Sequence, residues 1–572
     1  MADNSAAENW PMKVKVDSND THVLDQIKAH LLSPGNLISL PTETVYGLAA
    51  NGLCEESVLR IFQVKGRPLT DPVILHVPTF EEALESIFDA DLYDACIILL
   101  LAISFSPGPL TIITRGRTNI PPVVSANTGF PAVRCPNHVV AQRILKHVGI
   151  PLAAPSANKF GHISPTSADH VTSEFKGVHM YVVDGGKCDL GLESTVLKVE
   201  PISGGVNADE FLRKHGGSYK HLRAVVAALD EKVPTATSTP ENFIRKCENI
   251  KGIPPGFANE LIHYLWDTRW QQRKINILRP GFVTEADLKR RFSSLFFNVE
   301  VGHKAVFSKV NERCEAPGTI LTHYAPSVPT YLIHESPNAG GDIVDLKRVV
   351  MIDTDGSFKS HSHSFLYYLP IGDCDKSTAR DLYGALREAE SVALRYNHNL
   401  QQDPSNSGTS SIIVVNHKER PTELNATIRD RLLPSFTEAM FPGLGDDDEI
   451  RRQLEASLGL DTVESVDPVQ DELDTVDLEI DHAKYKKAGV GFKATKKTHV
   501  FSAEATKLKE VLKGKKKLTK SKLPRSEASN QVNKDTCDSS DTEPSRLDLI
   551  LSASRARKEK RQKAMAKRLG KS

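Results

Sequence analysis

The chain has 572 residues, of which 40% are hydrophobic and 25% charged, as in a globular protein with room for about two to four domains. Lys and Arg total 72, as do Asp and Glu, so the net charge excludes no class of partner. The eight scattered cysteines form no C-x-x-C pair, which excludes a readable disulfide framework or zinc site and favours a reducing compartment.

The polar composition of residues 1–12 predicts a flexible N-terminus. This segment has neither the apolar core of a signal peptide nor the Arg-rich character of a transit peptide. From residue 13 to about 199, short apolar strands alternate with helical patterns, which predicts an α/β domain. Its predicted strands are 36–40, 72–77, 110–114, 132–134, 151–154, 181–184 and 195–199.

Three helical patterns lie between these strands. Helical spacing covers 57–62, and Thr79 with Glu82 forms a capping-box pattern before a second helix. The apolar stretch 95–105 is well short of the ~20 residues that span a bilayer, so it predicts a buried helix. We therefore expect a cytoplasmic protein without membrane contact.

The strand pattern breaks between about residues 200 and 274, where glycine pairs and prolines interrupt short helical stretches such as 221–229. We interpret this segment as an insertion, partly ordered at best, that loops away from the domain. The strand-like segment 275–278 resumes the α/β pattern, so we predict that the first domain extends from residue 13 to residue 314.

A smaller α/β unit is predicted after a Pro-containing linker at 315–329. Predicted strands at 349–353 and 411–415, with helices at 379–392 and 425–436, indicate a Rossmann-like domain over 330–445. Residues 446–572 combine an acidic run with Lys-rich blocks and a basic end. Because such blocks of like charge cannot bury enough apolar surface, they predict a largely disordered tail.

Polar residues cluster in three loops of the first domain: 40–48, 65–68 and 155–158. Taken singly, each has a structural interpretation, because Ser, Thr and Asn are turn formers and cations favour helix C-termini. Neither a Walker loop nor a G-x-G-x-x-G after a strand occurs, so the common nucleotide motifs are absent.

Taken together, the loops resemble the L-threonylcarbamoyladenylate synthase family, the YrdC-like enzymes. The family's K-x-R and S-x-N signature is present as Lys65, Arg67, Ser156 and Asn158. Six further motifs match in order: P-T-E-T-x-Y-G-L (41–48), P-x-x-x-H-V (72–77), P-G-P-L-T (107–111), V-R-x-P (133–136), A-P-S-A-N (154–158) and G-x-E-S-T-V (191–196). Long family members are matched by L-R-P-G (278–281), by the P-G and H-Y-A-P of the linker (317–326) and by L-R-E (386–388).

This resemblance implies a YrdC-like twisted mixed-sheet synthase domain followed by the Rossmann-like domain. It also implies the family's reaction, the condensation of L-threonine, bicarbonate and ATP to threonylcarbamoyl-AMP and pyrophosphate. The product would pass to the tRNA threonylcarbamoyl transferase machinery, which makes threonylcarbamoyladenosine in tRNAs reading ANN codons. Mg²⁺ would be bound mainly through ATP oxygens, with no metal held by the protein alone.

The residue types fit this chemistry, because an anionic carbamate must approach an anionic phosphate between preorganised cations. The resemblance implies that Lys65, Arg67, Ser156 and Asn158 are catalytic and bind the nucleotide. The other implied nucleotide-binding residues are Arg134, Arg279, His323 and Tyr324. The residues implied to contact L-threonine are Thr42, Tyr46, His76 and Ser194.

Two other functions stay open. A non-catalytic RNA-binding module would use a basic concave face, and the Lys-rich tail would add RNA contacts by neutralising phosphates. The carbamoyltransferase of hydrogenase maturation shares this domain, but it also carries zinc-finger cysteines that are absent here. His361 and His363 are expected to lie on a solvated loop, since the sequence offers no third metal ligand nearby.

Overall fold

The computed structural model describes residues 10–17, 21–201, 204–229, 239–248, 250–292, 296–304, 313–318, 325–333, 345–402, 410–418 and 420–432. All of them fall within one compact unit, Met1–Glu464. The predicted tail, 446–572, lies outside the described residues. Across the ranges that are described, no helix is both long enough and apolar enough to cross a lipid bilayer.

The first domain contains eleven described strands. They are β1 (Met12–Val14), β2 (Leu37–Leu40), β3 (Gly47–Asn51), β4 (Ile74–His76), β5 (Leu110–Ile113), β6 (Ala132–Arg134), β7 (Leu152–Ala153), β8 (Met180–Val183), β9 (Thr195–Val199), β10 (Arg273–Arg279) and β11 (Val299–His303). They form one mixed sheet in the order β1-β8-β2-β3-β7-β4-β6-β5-β9-β10-β11. This confirms the predicted mixed sheet, and the bounds predicted for β6 and β9 agree with those observed.

The described helices of this domain cover both faces of the sheet. They are α1 (His22–Leu32), α2 (Glu55–Lys65), α3 (Phe80–Ser86), α4 (Leu92–Phe105), α5 (Val139–Val148), α6 (Ala168–Glu174), α7 (Ala208–Lys214), α8 (Tyr219–Leu229), α9 (Pro240–Glu248), α10 (Phe257–Thr268) and α11 (Glu285–Arg291). The predicted cap at Thr79 is present, since its hydroxyl accepts a hydrogen bond from the Glu82 amide at 3.3 Å.

The insertion after β9 is not a detached loop, so the expectation that it loops away is wrong for its described helices, α7 to α10. Leu222, Val225 and Leu261 are fully buried in the same apolar core as α4. The physical reason lies in α4, which is buried along 92–102 on every side and therefore needs a second cover opposite the sheet. The described part of the insertion provides that cover.

A buried ion cluster joins β10 to the start of α4. The guanidinium of Arg273, 1% exposed, lies 3.2 Å from a carboxylate oxygen of Asp91 and 2.9 Å from one of Asp94. The same guanidinium lies 4.7 Å from the centre of the Tyr93 ring. Asp91 also caps α4 by accepting from the Asp94 amide at 2.7 Å, so one cluster fixes both the helix start and the strand.

The second domain has a parallel sheet of four described strands: β12 (Thr330–Ile333), β13 (Val349–Asp353), β14 (Tyr367–Pro370) and β15 (Ile412–Asn416). Their order is β12-β15-β13-β14, and the helices are α12 (Asp375–Gln402) and α13 (Glu423–Leu432). This agrees with the predicted Rossmann-like unit, and the predicted bounds of β13 match. The exposed 3-10 helix Lys359–Ser364 carries His361 and His363, and the described residues contain no group of three metal-ligating side chains there.

Candidate active site

A small cavity opens on one face of the large sheet. Strand register builds this face, because His76 on β4 and Thr111 on β5 are both cross-strand partners of Arg134 on β6. Directly paired residues project from the same face of a sheet. The residues that line the cavity are Thr42, Thr44, Val45, Gly47, Arg67, Ile74, His76, Arg134, Ala154, Pro155, Ser156, Asn158, Glu193, Ser194, Arg279, Pro317 and Gly318.

The two halves of the K-x-R and S-x-N signature meet at the end of α2. Gly66 ends the helix in the left-handed conformation (φ 67°), which turns the chain between Lys65 and Arg67. The Lys65 ammonium is buried and donates to the main-chain oxygens of Ser156, at 2.5 Å, and Asn158. Burial, reinforced by the charge of Arg67, lowers the pKa of Lys65 well below its usual value. Lys65 therefore stabilises the conformation of the S-x-N loop. It is not among the residues that line the cavity.

Arg67 reaches the cavity in a fixed orientation. Its guanidinium donates to the main-chain oxygens of Asp71 at 3.0 Å and Pro72 at 2.7 Å. It also lies 2.8 Å from the Asp71 carboxylate, and both side chains are almost fully buried. A guanidinium held by three partners is preorganised, so it can meet an anion with little further loss of entropy.

Asn158 lines the cavity, and its side chain carries a buried acceptor. Its side-chain amide donates to the main-chain oxygens of Lys159 at 2.9 Å and His162 at 2.7 Å. These two bonds fix the amide orientation, and its Oδ1 atom is buried without a hydrogen-bond partner among the described residues. A buried acceptor in that state is costly unless a ligand or water satisfies it.

Arg134 and His76 lie side by side on neighbouring strands in the lining of the cavity. The Arg134 guanidinium donates to the Thr44 hydroxyl at 2.8 Å and lies 2.7 Å from the Glu43 carboxylate. Burial, together with the charge of Arg134, lowers the pKa of His76 to about 3. His76 is therefore a neutral hydrogen-bonding group at physiological pH.

Ser194 lies at the start of β9 between two partners from other strands. Its hydroxyl is 2.7 Å from that of Thr111 and accepts from the Arg279 guanidinium at 3.2 Å. Arg279 also donates to the main-chain oxygens of Ser194 at 2.8 Å and Pro317 at 3.2 Å. The two motifs G-x-E-S-T-V and L-R-P-G thus meet in one wall of the cavity.

The residues expected to contact threonine are placed differently from one another. Thr42, His76 and Ser194 line the cavity, and the Thr42 hydroxyl also donates to the Val45 oxygen at 2.6 Å. Tyr46 is fully buried outside the lining, and its hydroxyl donates to the Gly186 oxygen at 2.6 Å. The geometry gives no support to its predicted threonine contact. His323 and Tyr324 lie outside the described residues, so their predicted role stays a prediction.

Glu193, the acidic residue in the described lining, was not predicted from the sequence. Its Oε1 accepts from the Ser164 hydroxyl at 2.8 Å, and its Oε2 accepts from the Tyr383 hydroxyl at 2.8 Å and from Arg431 Nε at 3.1 Å. Tyr383 and Arg431 are 190 and 238 residues away along the chain, so no local pattern could reveal these partners. The one available signal was the glutamate of the G-x-E-S-T-V motif itself.

Comparisons with known proteins agree with this architecture. The family model Sua5_yciO_yrdC, described as "Telomere recombination", matches residues 30–214. A second model, "Threonylcarbamoyl-AMP synthase, C-terminal domain", matches residues 283–434. The chain is 42% identical over 176 residues to the threonylcarbamoyl-AMP synthase of Pyrococcus abyssi, which covers 30% of this chain and 49% of that protein.

A putative threonylcarbamoyl-AMP synthase of Methanocaldococcus jannaschii is 32% identical over 178 residues, which cover 31% of this chain and 81% of that protein. A solved structure of a P. abyssi Sua5 variant has the same fold, with a TM-score of 0.50 and 24% identity over 74% of this chain and 96% of that one. In the first three curated relatives, the match spans only 49% to 59% of the relative's length.

Proposed function

We propose, because this chain belongs to the threonylcarbamoyl-AMP synthase family, that it condenses L-threonine, bicarbonate and ATP to threonylcarbamoyl-AMP and pyrophosphate. One observation carries the proposal. Three guanidinium groups, from Arg67, Arg134 and Arg279, reach one cavity from three separate segments of the chain. Each of them is held by protein oxygens, Arg67 and Arg134 in ion pairs with Asp71 and Glu43, so the three cations are fixed in place before any ligand enters.

The reaction needs such a site because both partners carry negative charge. The threonine nitrogen and bicarbonate form a carbamate with loss of water. A carbamate oxygen then attacks the α-phosphorus of ATP, a new P–O bond forms, and the bond to the β-phosphate oxygen breaks to release pyrophosphate. The arginines offset the repulsion between the anions and hold the reacting atoms in line.

The donor set of the cavity also suits Mg²⁺ bound mainly through the triphosphate. Among the described lining residues Glu193 is the acidic one, and both of its oxygens already accept hydrogen bonds from protein groups. The described lining of the cavity therefore offers no open carboxylate cage, and the ion would keep phosphate oxygens and waters as ligands. When bound, it would neutralise charge on the leaving pyrophosphate.

Threonine recognition is assigned to the neutral polar groups. The buried Oδ1 of Asn158 suits an N–H or O–H donor of the amino acid, and the hydroxyls of Thr42 and Ser194 lie in the same lining. A site that bonds the threonine hydroxyl would strongly reject valine, because its own buried polar groups would stay unpaired. We expect valine to support no measurable pyrophosphate release.

The test is pyrophosphate release by the purified chain with each substrate omitted in turn. We expect release only with threonine, bicarbonate and ATP together, and a loss of at least about 100-fold in Arg67→Ala, since the lost guanidinium stabilises charge in the transition state. Arg60→Ala is the matched control, because Arg60 lies on the same helix α2 and its guanidinium donates to the Gln63 side chain at 2.7 Å, on the exposed side of the helix. Release without threonine, or an Arg67→Ala variant as active as the control, would contradict the proposal.

We further propose that the product passes to the tRNA threonylcarbamoyl transferase machinery in the cytoplasm and ends in tRNAs reading ANN codons. The support is the family's name for its product, an activated threonylcarbamoyl group. Mass spectrometry of tRNA nucleosides in a synthase-deficient strain that carries this chain would measure threonylcarbamoyladenosine directly. Unmodified tRNA in the presence of the active chain would contradict this step.

A further inference from the structure

Three side chains of the second domain form hydrogen bonds with segments of the synthase domain that line the cavity or adjoin its lining. We propose that Tyr383, Arg387 and Arg431 are positioning residues, through which α12 and α13 hold the catalytic geometry of the synthase domain. The inference rests on the proposed function only for its kinetic consequence. Its structural content is that three separate segments of the site are fixed by side chains of another domain.

The first connection runs through Glu193. Glu193 is 6% exposed, and its carboxylate is bonded by Tyr383, which is fully buried, and by Arg431, which is 2% exposed. Glu193 directly precedes Ser194 in the wall that meets Arg279. Hydrogen bonds to a buried charge are strong and directional, so Tyr383 and Arg431 determine where this wall lies.

The second connection extends Arg431 to a neighbouring segment. Its Nη2 atom donates to the main-chain oxygen of Pro280 at 2.7 Å. Pro280 follows Arg279, whose guanidinium holds the Ser194 main-chain oxygen at 2.8 Å. One side chain from α13 thus bridges the two motifs that bring Ser194 and Arg279 into the cavity.

The third connection fixes the loop that orients Asn158. Arg387 donates to the main-chain oxygens of Ile163 and Ser164, and its guanidinium lies 3.3 Å from the Glu174 carboxylate. Glu174 in turn accepts from the main-chain amide of Lys159 at 3.0 Å. Since the Asn158 side chain donates to oxygens of this same loop, 159–162, Arg387 acts on its orientation.

The connections made by Tyr383 and Arg431, which are both buried, lie beside an apolar interface. Val45, Ile163 and Leu192 of the synthase domain share one buried cluster with Leu382 and Leu386 of α12. Exclusion of water strengthens the enclosed hydrogen bonds and leaves no solvent to replace a lost partner. Removal of a single donor should therefore shift the wall of the cavity rather than be masked by water.

The experiment compares three conservative variants with two matched controls in the full chain. Tyr383→Phe removes one hydroxyl, and Arg387→Lys and Arg431→Lys keep the charge but lose the forked geometry. Tyr367→Phe removes a hydroxyl that bonds the exposed side chain of Glu388, and Arg395→Lys changes an exposed arginine of the same helix α12. Each variant is assayed for kcat, for KM and for hydrogen–deuterium exchange.

We expect kcat to fall about tenfold or more in each of the three variants, because small displacements of positioned groups cost rate more than binding. KM for ATP should change less than kcat. Exchange should rise only in the segment that each side chain holds: 191–195 in Tyr383→Phe, 191–195 and 279–283 in Arg431→Lys, and 158–164 in Arg387→Lys. The kcat of the two controls should stay within about twofold of that of the unaltered chain.

Unchanged exchange in those segments, or a uniform rise in exchange across the whole chain, would overturn the inference. If the unaltered chain releases no pyrophosphate, the proposed function fails, while the exchange data still decide whether these side chains position the walls.

Discussion

The Lys65 ammonium lies 2.5 Å from the main-chain oxygen of Ser156, so the end of α2 and the S-x-N loop are joined by a buried donor. Main-chain hydrogen bonds reinforce this junction, since Phe160 donates its amide to the Lys65 oxygen at 2.8 Å. The signature lysine thus acts on the shape of the loop that presents Ser156 and Asn158.

Lys65→Met should lower kcat by at least about 100-fold, because two main-chain oxygens lose their buried donor and the loop relaxes. Methionine keeps the apolar stem and volume, so gross packing should survive. The measurement combines steady-state kinetics with hydrogen–deuterium exchange in 155–160. A variant with unchanged exchange there but no activity would instead indicate that Lys65 contacts the substrate directly.

Acid should weaken the fold through His76. Burial lowers its folded-state pKa to about 3, whereas an unfolded histidine titrates near 6.5. Below pH 6.5 the unfolded chain binds a proton that the folded chain refuses, so this group reduces stability as the pH falls from 6.5 towards 3. In the His76→Asn variant, we expect the free energy of unfolding to fall by up to about 1.4 kcal/mol less for each pH unit below 6.5 than in the unaltered chain.

Chemical denaturation at several pH values measures this slope. His170→Asn provides an internal comparison, because burial and the charge of Arg387 lower the pKa of His170 to about 4. That variant should flatten the slope over the narrower window between about pH 6.5 and 4. Parallel pH profiles for His76→Asn and the unaltered chain would show that His76 accepts a proton in the folded state.

The ion cluster at the start of α4 should be essential for stability. Arg273→Met should cost about 3–5 kcal/mol in the free energy of unfolding, because it leaves the buried carboxylates of Asp91 and Asp94 unpaired. Lys274→Met, at the next and exposed position, should change it by no more than about 0.5 kcal/mol. Urea denaturation of both variants checks this. Equal midpoints would mean that the carboxylates become protonated at little cost.

The insertion should behave as part of the core. Leu222→Ala should cost about 2–5 kcal/mol, because this fully buried side chain of α8 packs in the same cluster as α4. Val206→Ala, at a position 41% exposed in the same insertion, should be nearly neutral. The measurement is the free energy of unfolding of each variant by urea denaturation. If Leu222→Ala leaves it unchanged, the insertion unfolds independently of the core.

The interface between the domains allows no side chain at Gly191. A Cβ atom there would lie 2.2 Å from the main-chain oxygen of Arg380 on α12, and the residue has φ +72°. Gly191→Ala should therefore displace α12 and lower activity at least about tenfold. Gly186→Ala, at φ +84° with no atom within 4 Å of the added Cβ, isolates the cost of the backbone conformation alone. Equal losses in the two variants would contradict a steric role for the interface.

Local patterns were enough to predict the parts of the fold in which each residue's neighbours are close in sequence. β6, β9 and β13 have the predicted bounds, and a proline or glycine follows each of them within three residues. The four signature residues come together because α2 and the loop after β7 present them at the same place. The motif did not reveal that the Tyr46 hydroxyl donates to the Gly186 oxygen, and the predicted contact of Tyr46 with threonine stays a prediction.

Long-range partners could not be predicted in this way. The apolar sequence of α4 predicted burial correctly, but it did not reveal that α7 and α8 would form its cover. Besides Ser164, Glu193 is bonded by Tyr383 and Arg431, which are 190 and 238 residues away, and only the three-dimensional contact between domains brings these side chains together. Its role depends on tertiary structure and not on any spacing in the chain.

The strands on either side of the insertion are direct neighbours, since Val199 pairs with Ile275 and the Glu200 amide donates to the Lys274 oxygen at 3.0 Å. The insertion therefore begins and ends at the same pair of antiparallel strands. The entropic cost of closing a loop grows only slowly with the length of that loop. A shortened form joined by a tight turn could keep the sheet intact. It would then need polar residues on the outer side of α4, so the two segments have to change together in any redesign.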